Sequence, residues 1–316
     1  MAAPPFDPTA ATTAFSQMSL FDEFQILLTA VLGCSISSAT ILVILVIYFC
    51  RTTQAAVELV LVGGLLMADA VLAVANAGSG IERMVSYNQG TEKATLPVHK
   101  CYFSPYVFMF AFSYQTIGLM TLAVSLERFF AVFYPLIYVG YTRKQGYCVI
   151  IAVAVFSAST YVAAIPLHIN VNAQVSALCF ATTTLNSVFM KSLRLLRFTT
   201  VTLSIVIYIP IICRIYQVLS DPSLSSEINK KRRVARLSVT IGFTSLAALF
   251  FVLIPDAIIV FDLFGLKQFH VLSYSVNLFK GAFNLGIYSL KHKTLRESLK
   301  YTICCWKQNR LGSWMS

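Results

Sequence analysis

Seven apolar runs, each about as long as a membrane is thick, govern what this chain can fold into. They cover residues 25–50, 55–77, 101–134, 147–167, 195–219, 237–264 and 269–290. A helix needs ~20 mostly apolar residues to cross a bilayer. Barrel strands would instead alternate over segments of ~10 residues, and no such alternation is visible. Composition agrees, because 57% of residues are hydrophobic and only 12% are charged. A soluble domain carries about 25% charge, so this chain cannot coat a water-facing surface. In lipid every backbone group must be satisfied internally, which leaves helices. The expected fold is an all-α membrane protein, a seven-transmembrane helix bundle with an amphipathic eighth helix.

Basic residues set the expected orientation, since Lys and Arg collect on the cytoplasmic side. With the N-terminus outside, 16 of the 24 fall inside, chiefly Arg143, Lys144, the 230–236 cluster and the tail after residue 290. Seven fall outside, and Lys280 lies within the seventh run. Residues 1–23 lack Lys and Arg, contain three prolines, and read as a disordered extracellular segment rather than a signal peptide. The domain division is therefore 1–23, a receptor-sized bundle over 24–290, and a cytoplasmic tail over 291–316. The net charge of +11 is spread over short membrane-side loops, which argues against nucleic acid as a partner. A plasma-membrane, multi-pass location follows.

The cysteines do not form a disulfide framework. Cys34, Cys50, Cys148 and Cys213 lie in or beside apolar runs and read as thiols. Cys101 and Cys179 both map to the outer face, where oxidation is possible. They form either one bridge or two unrelated thiols, and the bridge is the expectation. After the last run, Leu290, Leu295, Leu299 and Ile303 fall near one another on a helix face, with basic residues opposite. That pattern describes a helix lying on the inner leaflet. Cys304 and Cys305 beside it are palmitoylation candidates.

Local motifs sharpen this picture. Glu127-Arg128-Phe129 ends the third run, Asp69 lies within LLMADAVLA, Pro255 within FFVLIPD, and Asn284 to Tyr288 read NLGIY. Together these resemble the rhodopsin-like (class A) G-protein-coupled receptors over residues 25 to about 303. They correspond to that family's Asp/Glu-Arg-Tyr, its buried acid, its kinking proline and its Asn-Pro-x-x-Tyr. The chain departs from the pattern at Leu253 and Leu285, which stand for a Trp and a Pro, and it lacks the family's Asn in run one and Trp in run four. The segment from Cys101 to Arg128 is about two residues longer than usual. Such departures resemble nematode serpentine chemoreceptors, particularly the Srsx-like group.

The resemblance implies an activation switch built from Glu127, Arg128, Asp69, Pro255, Asn284 and Tyr288, with Tyr208 and Tyr288 able to receive Arg128 once released. Asp69 needs a partner, because an unpaired buried charge is costly. Lys280 is one turn before Asn284, so an Asp69–Lys280 pair in place of sodium is the hypothesis. Pairing of Lys280 with Asp256, or a neutral Lys280, are the alternatives. The opsin lysine position is Leu278, so no retinal cofactor is expected, nor any other. Phe110 occupies the position where amine receptors carry Asp.

The expected ligand pocket lies between runs three, five, six and seven. Phe110, Tyr114 and Gln115 form its wall, and Asp256 and Tyr274 add polar contacts. Lys191, Arg194 and Arg197 recur every three residues at the start of run five. Arg suits carboxylate forks, so Arg194 and Arg197 are candidates for capturing an acidic ligand; snorkelling into lipid headgroups is the competing reading. The expected function is a chemosensory receptor for a small extracellular ligand that activates a heterotrimeric G protein. A neuropeptide receptor and a small membrane transporter are the alternatives. His99, His168, His270 and His292 show no metal spacing, and no enzyme is expected.

Overall fold

The computed structural model describes residues 20–50, 58–91, 94–169, 173–220, 242–243, 246–260, 270–291 and 295–300. Residues 1–19, 221–241 and 261–269, and Cys304 and Cys305, lie outside the described residues, as does the side chain of Tyr274. The longer helices are α1 (Leu20–Phe49), α2 (Glu58–Asn88), α3 (Pro105–Phe133), α4 (Arg143–Ala163) and α5 (Ser187–Ser220). They are followed by α6 (Ile254–Val260) and α7 (His270–Lys291). One short antiparallel pair, β1 (Thr95–Pro97) with β2 (Gln174–Ser176), interrupts an otherwise helical chain.

Among the described residues five helices are long and apolar enough to cross a membrane, α1 to α5. Their exposure identifies the solvent. Only 17% of the most apolar stretch of α4 is buried, against 83% for α2. Ile151, Val155 and Val162 on α4, and Val206, Ile209 and Ile212 on α5, are exposed. A continuous apolar surface of that size cannot face water in a stable monomer. This is a helical membrane protein, with α2 and α3 inside the bundle and α4 and α5 largely facing lipid.

Packing closes the helices into a ring. α2 contacts α1, α3, α4 and α7; α3 contacts α4 and α5; α5 meets α6; and α7 returns to α1. Two glycines permit the closest approach. A Cβ on Gly33 would lie 2.7 Å from the Ala77 backbone nitrogen, and one on Gly80 would lie 2.9 Å from the Ala30 methyl. Small residues at helix contacts serve this purpose in lipid, where backbones gain by approaching closely.

Several boundaries differ from the sequence reading, each for a local reason. α2 continues to Asn88, beyond the expected end at 77. The apolar count stops at the lipid edge, but the backbone stays helical through Ser79, Glu82 and Arg83. The third run is two pieces. A one-turn helix (Val98–Tyr102) ends at Phe103, and α3 starts afresh at Pro105, the residue whose missing N–H suits a helix start. The additional turn accounts for the long Cys101–Arg128 spacing. α5 begins at Ser187, so Lys191 and Arg194 already belong to it. A π-helical turn at Leu249–Leu253 runs directly into α6, which carries Pro255 at its second residue.

The end of the bundle near Cys101 is heavily cross-tied. Cys101 and Cys179 form a disulfide with Cα atoms 5.3 Å apart, as expected. Tyr102 stacks on Tyr161 at 4.6 Å between centroids and donates its hydroxyl to the Tyr161 carbonyl at 2.6 Å; Tyr161 returns a hydrogen bond to the Tyr102 carbonyl. His168 stacks on Tyr102, contacts the Ala164 carbonyl through Nδ1, and accepts the Asn186 N–H at Nε2. That pattern puts the ring proton on Nδ1.

The glycine contacts predict opposite outcomes for one substitution at two places. Gly33→Ala forces a methyl against the α2 backbone and lowers the melting temperature of the detergent-solubilised protein. A methyl added at Gly78 would meet nothing within 4 Å, so Gly78→Ala gains helix propensity of ~1 kcal/mol and raises the melting temperature or leaves it level. Equal effects at both positions would contradict the close α1–α2 approach.

Candidate functional site

Among the described residues three ion pairs are buried in the bundle. A charge inside lipid is expensive, and such residues pair and mark function.

The first pair joins α2 to α7. Asp69 is 3% exposed and Lys280 2%. Lys280 Nζ donates to Asp69 Oδ1 at 2.7 Å, and Asn284 Nδ2 donates to Asp69 Oδ2 at 2.8 Å. Lys280 and Asn284 are four residues apart on α7 and so share a face. Both carboxylate oxygens are thus met from one helix. Asn284 Oδ1 makes no hydrogen bond among the described residues. The structure contains the Asp69–Lys280 pair hypothesised from the receptor resemblance. It excludes pairing of Lys280 with Asp256, because Asp256 is engaged elsewhere.

That engagement is the second pair. Arg197 on α5 is fully buried and donates through Nε to Asp256 Oδ2 at 2.7 Å and through Nη2 to Asp256 Oδ1. The guanidinium carbon lies 3.7 Å from the centre of the Tyr114 ring on α3, a cation–π contact. Gly118 makes room for it, since a Cβ there would lie 3.2 Å from Arg197 Cα and 2.5 Å from Thr200 Oγ1. In this structure Arg197 is not open: the Nε/Nη2 edge of its guanidinium is filled by a carboxylate of the chain itself. Arg194, one turn earlier, is partly buried and its Nε makes no hydrogen bond among the described residues.

The third pair lies at the other end of α3. Arg128 Nη2 reaches Glu127 Oε1 at 3.0 Å and Oε2 at 2.9 Å, with both side chains 4% exposed. Tyr138, from the turn Pro135–Val139, donates to Glu127 Oε1. Burial, then the nearby Glu127 charge, push the Tyr141 hydroxyl above its ordinary value. Tyr208 on α5 and Tyr288 on α7 belong to the apolar cluster that adjoins this pair, with Met120 and Val124 of α3. Tyr208 Oη makes no hydrogen bond among the described residues.

The remaining candidates separate. Phe110 and Tyr114 are buried in the cluster around the disulfide. Gln115 turns away from α5 and accepts a hydrogen bond from Thr160 of α4 at 2.8 Å, so it ties α3 to α4 rather than lining a cavity toward α5–α7. Sequence reasoning missed Tyr138, Gly118 and the Ser125–Ser204 hydrogen bond between α3 and α5. No periodic signal marks them, because each is defined by a partner on another helix. No group of three or more potential metal ligands occurs among the described residues. Neither a family model nor a curated protein matches this chain.

Removing Lys280 leaves Asp69 with one hydrogen bond and no counter-charge. Breaking one side of a buried pair costs about 3–5 kcal/mol. Lys280→Ala and Asp69→Ala should therefore each depress the melting temperature strongly. The double variant Asp69→Asn/Lys280→Gln should lose much less than the sum of its single substitutions. Additive losses in that cycle would contradict the pairing.

Proposed function

We propose that this protein is a seven-helix receptor of the rhodopsin-like kind, with its N-terminus outside the cell and an amphipathic eighth helix after residue 290. It senses a small extracellular molecule and activates a heterotrimeric G protein, in the manner of nematode chemoreceptors. The observation that carries the reading is the buried Glu127–Arg128 pair beside Tyr208 and Tyr288.

A purely structural role explains that pair poorly. Replacing a buried ion pair by apolar residues is often neutral or stabilising, so a chain that needed only a stable helix end would not keep one there. An ion pair beside Tyr208 of α5, itself packed in one cluster with Tyr288 of α7, suits a two-position element. At rest Arg128 is held by Glu127, itself fixed by Tyr138. In the active state Arg128 leaves Glu127 and meets the hydroxyls of Tyr208 and Tyr288. The cytoplasmic end of the sixth helix moves outward, and a pocket opens for a G-protein helix. The π-helical turn before Pro255 gives that helix a place to bend. Asp69, Lys280 and Asn284 connect the ligand half to this switch through α7. The lysine ammonium takes the place of a free cation. Palmitoylation at Cys304 and Cys305 would hold the tail on the inner leaflet.

A panel of small volatile and water-soluble compounds, applied to cells displaying the protein, tests the reading through second-messenger output. Arg128→Ala at equal surface level should abolish the response, while Glu127→Gln should raise ligand-free signalling. A response that persists in Arg128→Ala would sink the switch.

A further inference from the structure

Arg197 and Asp256 are more than a structural tie. We infer that they form a carboxylate-exchange site, whose ligand is a small monocarboxylic acid with an apolar remainder. The inference deepens the receptor reading by naming the chemistry its ligand presents.

Four observations support it. Arg197 is fully buried and uses only one edge of its guanidinium; Nη1 makes no hydrogen bond among the described residues. A guanidinium carries five donors in a planar fork shaped for carboxylates, so an incoming acid has a free donor to engage first. The seat is built for this one side chain, with Gly118 opening the α3 backbone and the Tyr114 ring beneath. The remaining surroundings are apolar: Phe110, Ile117, Met190 and Leu193 are buried in the adjoining cluster. Asp256 follows Pro255 and the π-helical turn directly, so the carboxylate to be displaced is carried by a weakened stretch of the bundle.

Charge balance fixes the form of the exchange. Adding an anion beside Asp256 would leave two carboxylates on one guanidinium in a medium that penalises net charge. The neutral acid avoids this. Its O–H bond breaks, the proton passes to the Asp256 carboxylate, and the ligand's new carboxylate takes the Arg197 fork. One neutral acid and one ion pair become one ion pair and one neutral Asp256, so net charge is unchanged. Asp256, now a carboxylic acid, no longer ties α6 to α5. A dicarboxylate would bring a second, unmet charge, and an amine would meet Arg197 with like charge. The titratable groups acting on Arg197 are Asp256 from α6 and Tyr114 from α3. Asp256 is the carboxylate of the pair, so the exchanged proton belongs to it.

The test is binding by the purified full-length protein in lipid nanodiscs, with no G protein present. The probes are unbranched monocarboxylates from acetate to decanoate, with the matching primary amides and alkylamines as controls. Thermal stabilisation should appear for carboxylates of a limited length range and for neither control. One proton is taken up per probe anion bound, so apparent affinity should rise about tenfold for each pH unit lowered between roughly 7.5 and 6.5. Asp256→Asn removes the proton acceptor and leaves Arg197 unpaired. It should bind the same probe roughly tenfold or more tightly, with no pH slope over that range. The double variant Arg197→Gln/Asp256→Asn removes both charges together and should fold but not bind. Stabilisation by no carboxylate in either wild type or Asp256→Asn would overturn the inference. So would binding that survives the double variant, or a wild-type affinity independent of pH. Probe binding without G-protein output from the same acid in cells would instead count against the receptor reading and leave the site standing.

Discussion

The bundle depends on how the Asp69 carboxylate is met in its apolar interior. Asp69 lies on α2, the most enclosed helix, and Lys280 and Asn284 reach it from α7. The apolar surroundings offer no substitute for either partner. The rotation of α7 about its own axis is therefore set by two polar atoms rather than by apolar packing, which any of several faces could supply. Because α7 also packs on α1, fixing its rotation fixes how the ring closes. The Arg197–Asp256 pair does the same for α5 and α6. In each case a charge that costs energy to bury selects one arrangement of helices among many of similar hydrophobicity.

The two ends of α3 are held differently. Near Cys101 there is a disulfide, a reciprocal tyrosine pair and a histidine accepting a backbone hydrogen bond. These cross-links are covalent or fully satisfied. Near Arg128 the contacts are an ion pair, a tyrosine hydroxyl on Glu127, and Tyr208, whose hydroxyl has no hydrogen bond among the described residues. Contacts of the second kind have an alternative arrangement close by, and those of the first kind do not.

How much of this was legible in the sequence varied with the kind of signal. Long apolar runs marked the five helices that are long and apolar enough to span among the described residues, the first five of the seven runs expected. The one-turn spacing put Lys280 and Asn284 on one face of a helix, but only the resemblance to receptors aimed that face at Asp69, and the Asn284 hydrogen bond to Asp69 was not foreseen. The Arg197–Asp256 pair was not legible. Its partners sit in different runs, and α5 is apolar around its whole circumference, so no periodicity phases Arg197 toward α6 rather than toward lipid or a ligand. Gln115 was placed on the wrong wall for the same reason. The paired strands at 95–97 and 174–176 are three residues each in polar connections, too short to show alternation. The extension of α2 to Asn88 escaped notice because apolarity marks where lipid ends, not where a helix ends.

The charge on α7 also bears on how the chain is made. Lys280 sits near the middle of a 22-residue helix. A lysine at the centre of an inserting helix costs roughly 2.5–3.5 kcal/mol. α1 through α5 carry enough apolar length to enter lipid one at a time as they leave the ribosome. α7 does so favourably only when a carboxylate is already waiting at the right depth. Synthesis runs from the N-terminus, so Asp69 has been in place for some two hundred residues when Lys280 emerges. Burial of α7 in lipid would thus depend on α2 having entered first, because its lysine finds its carboxylate only there.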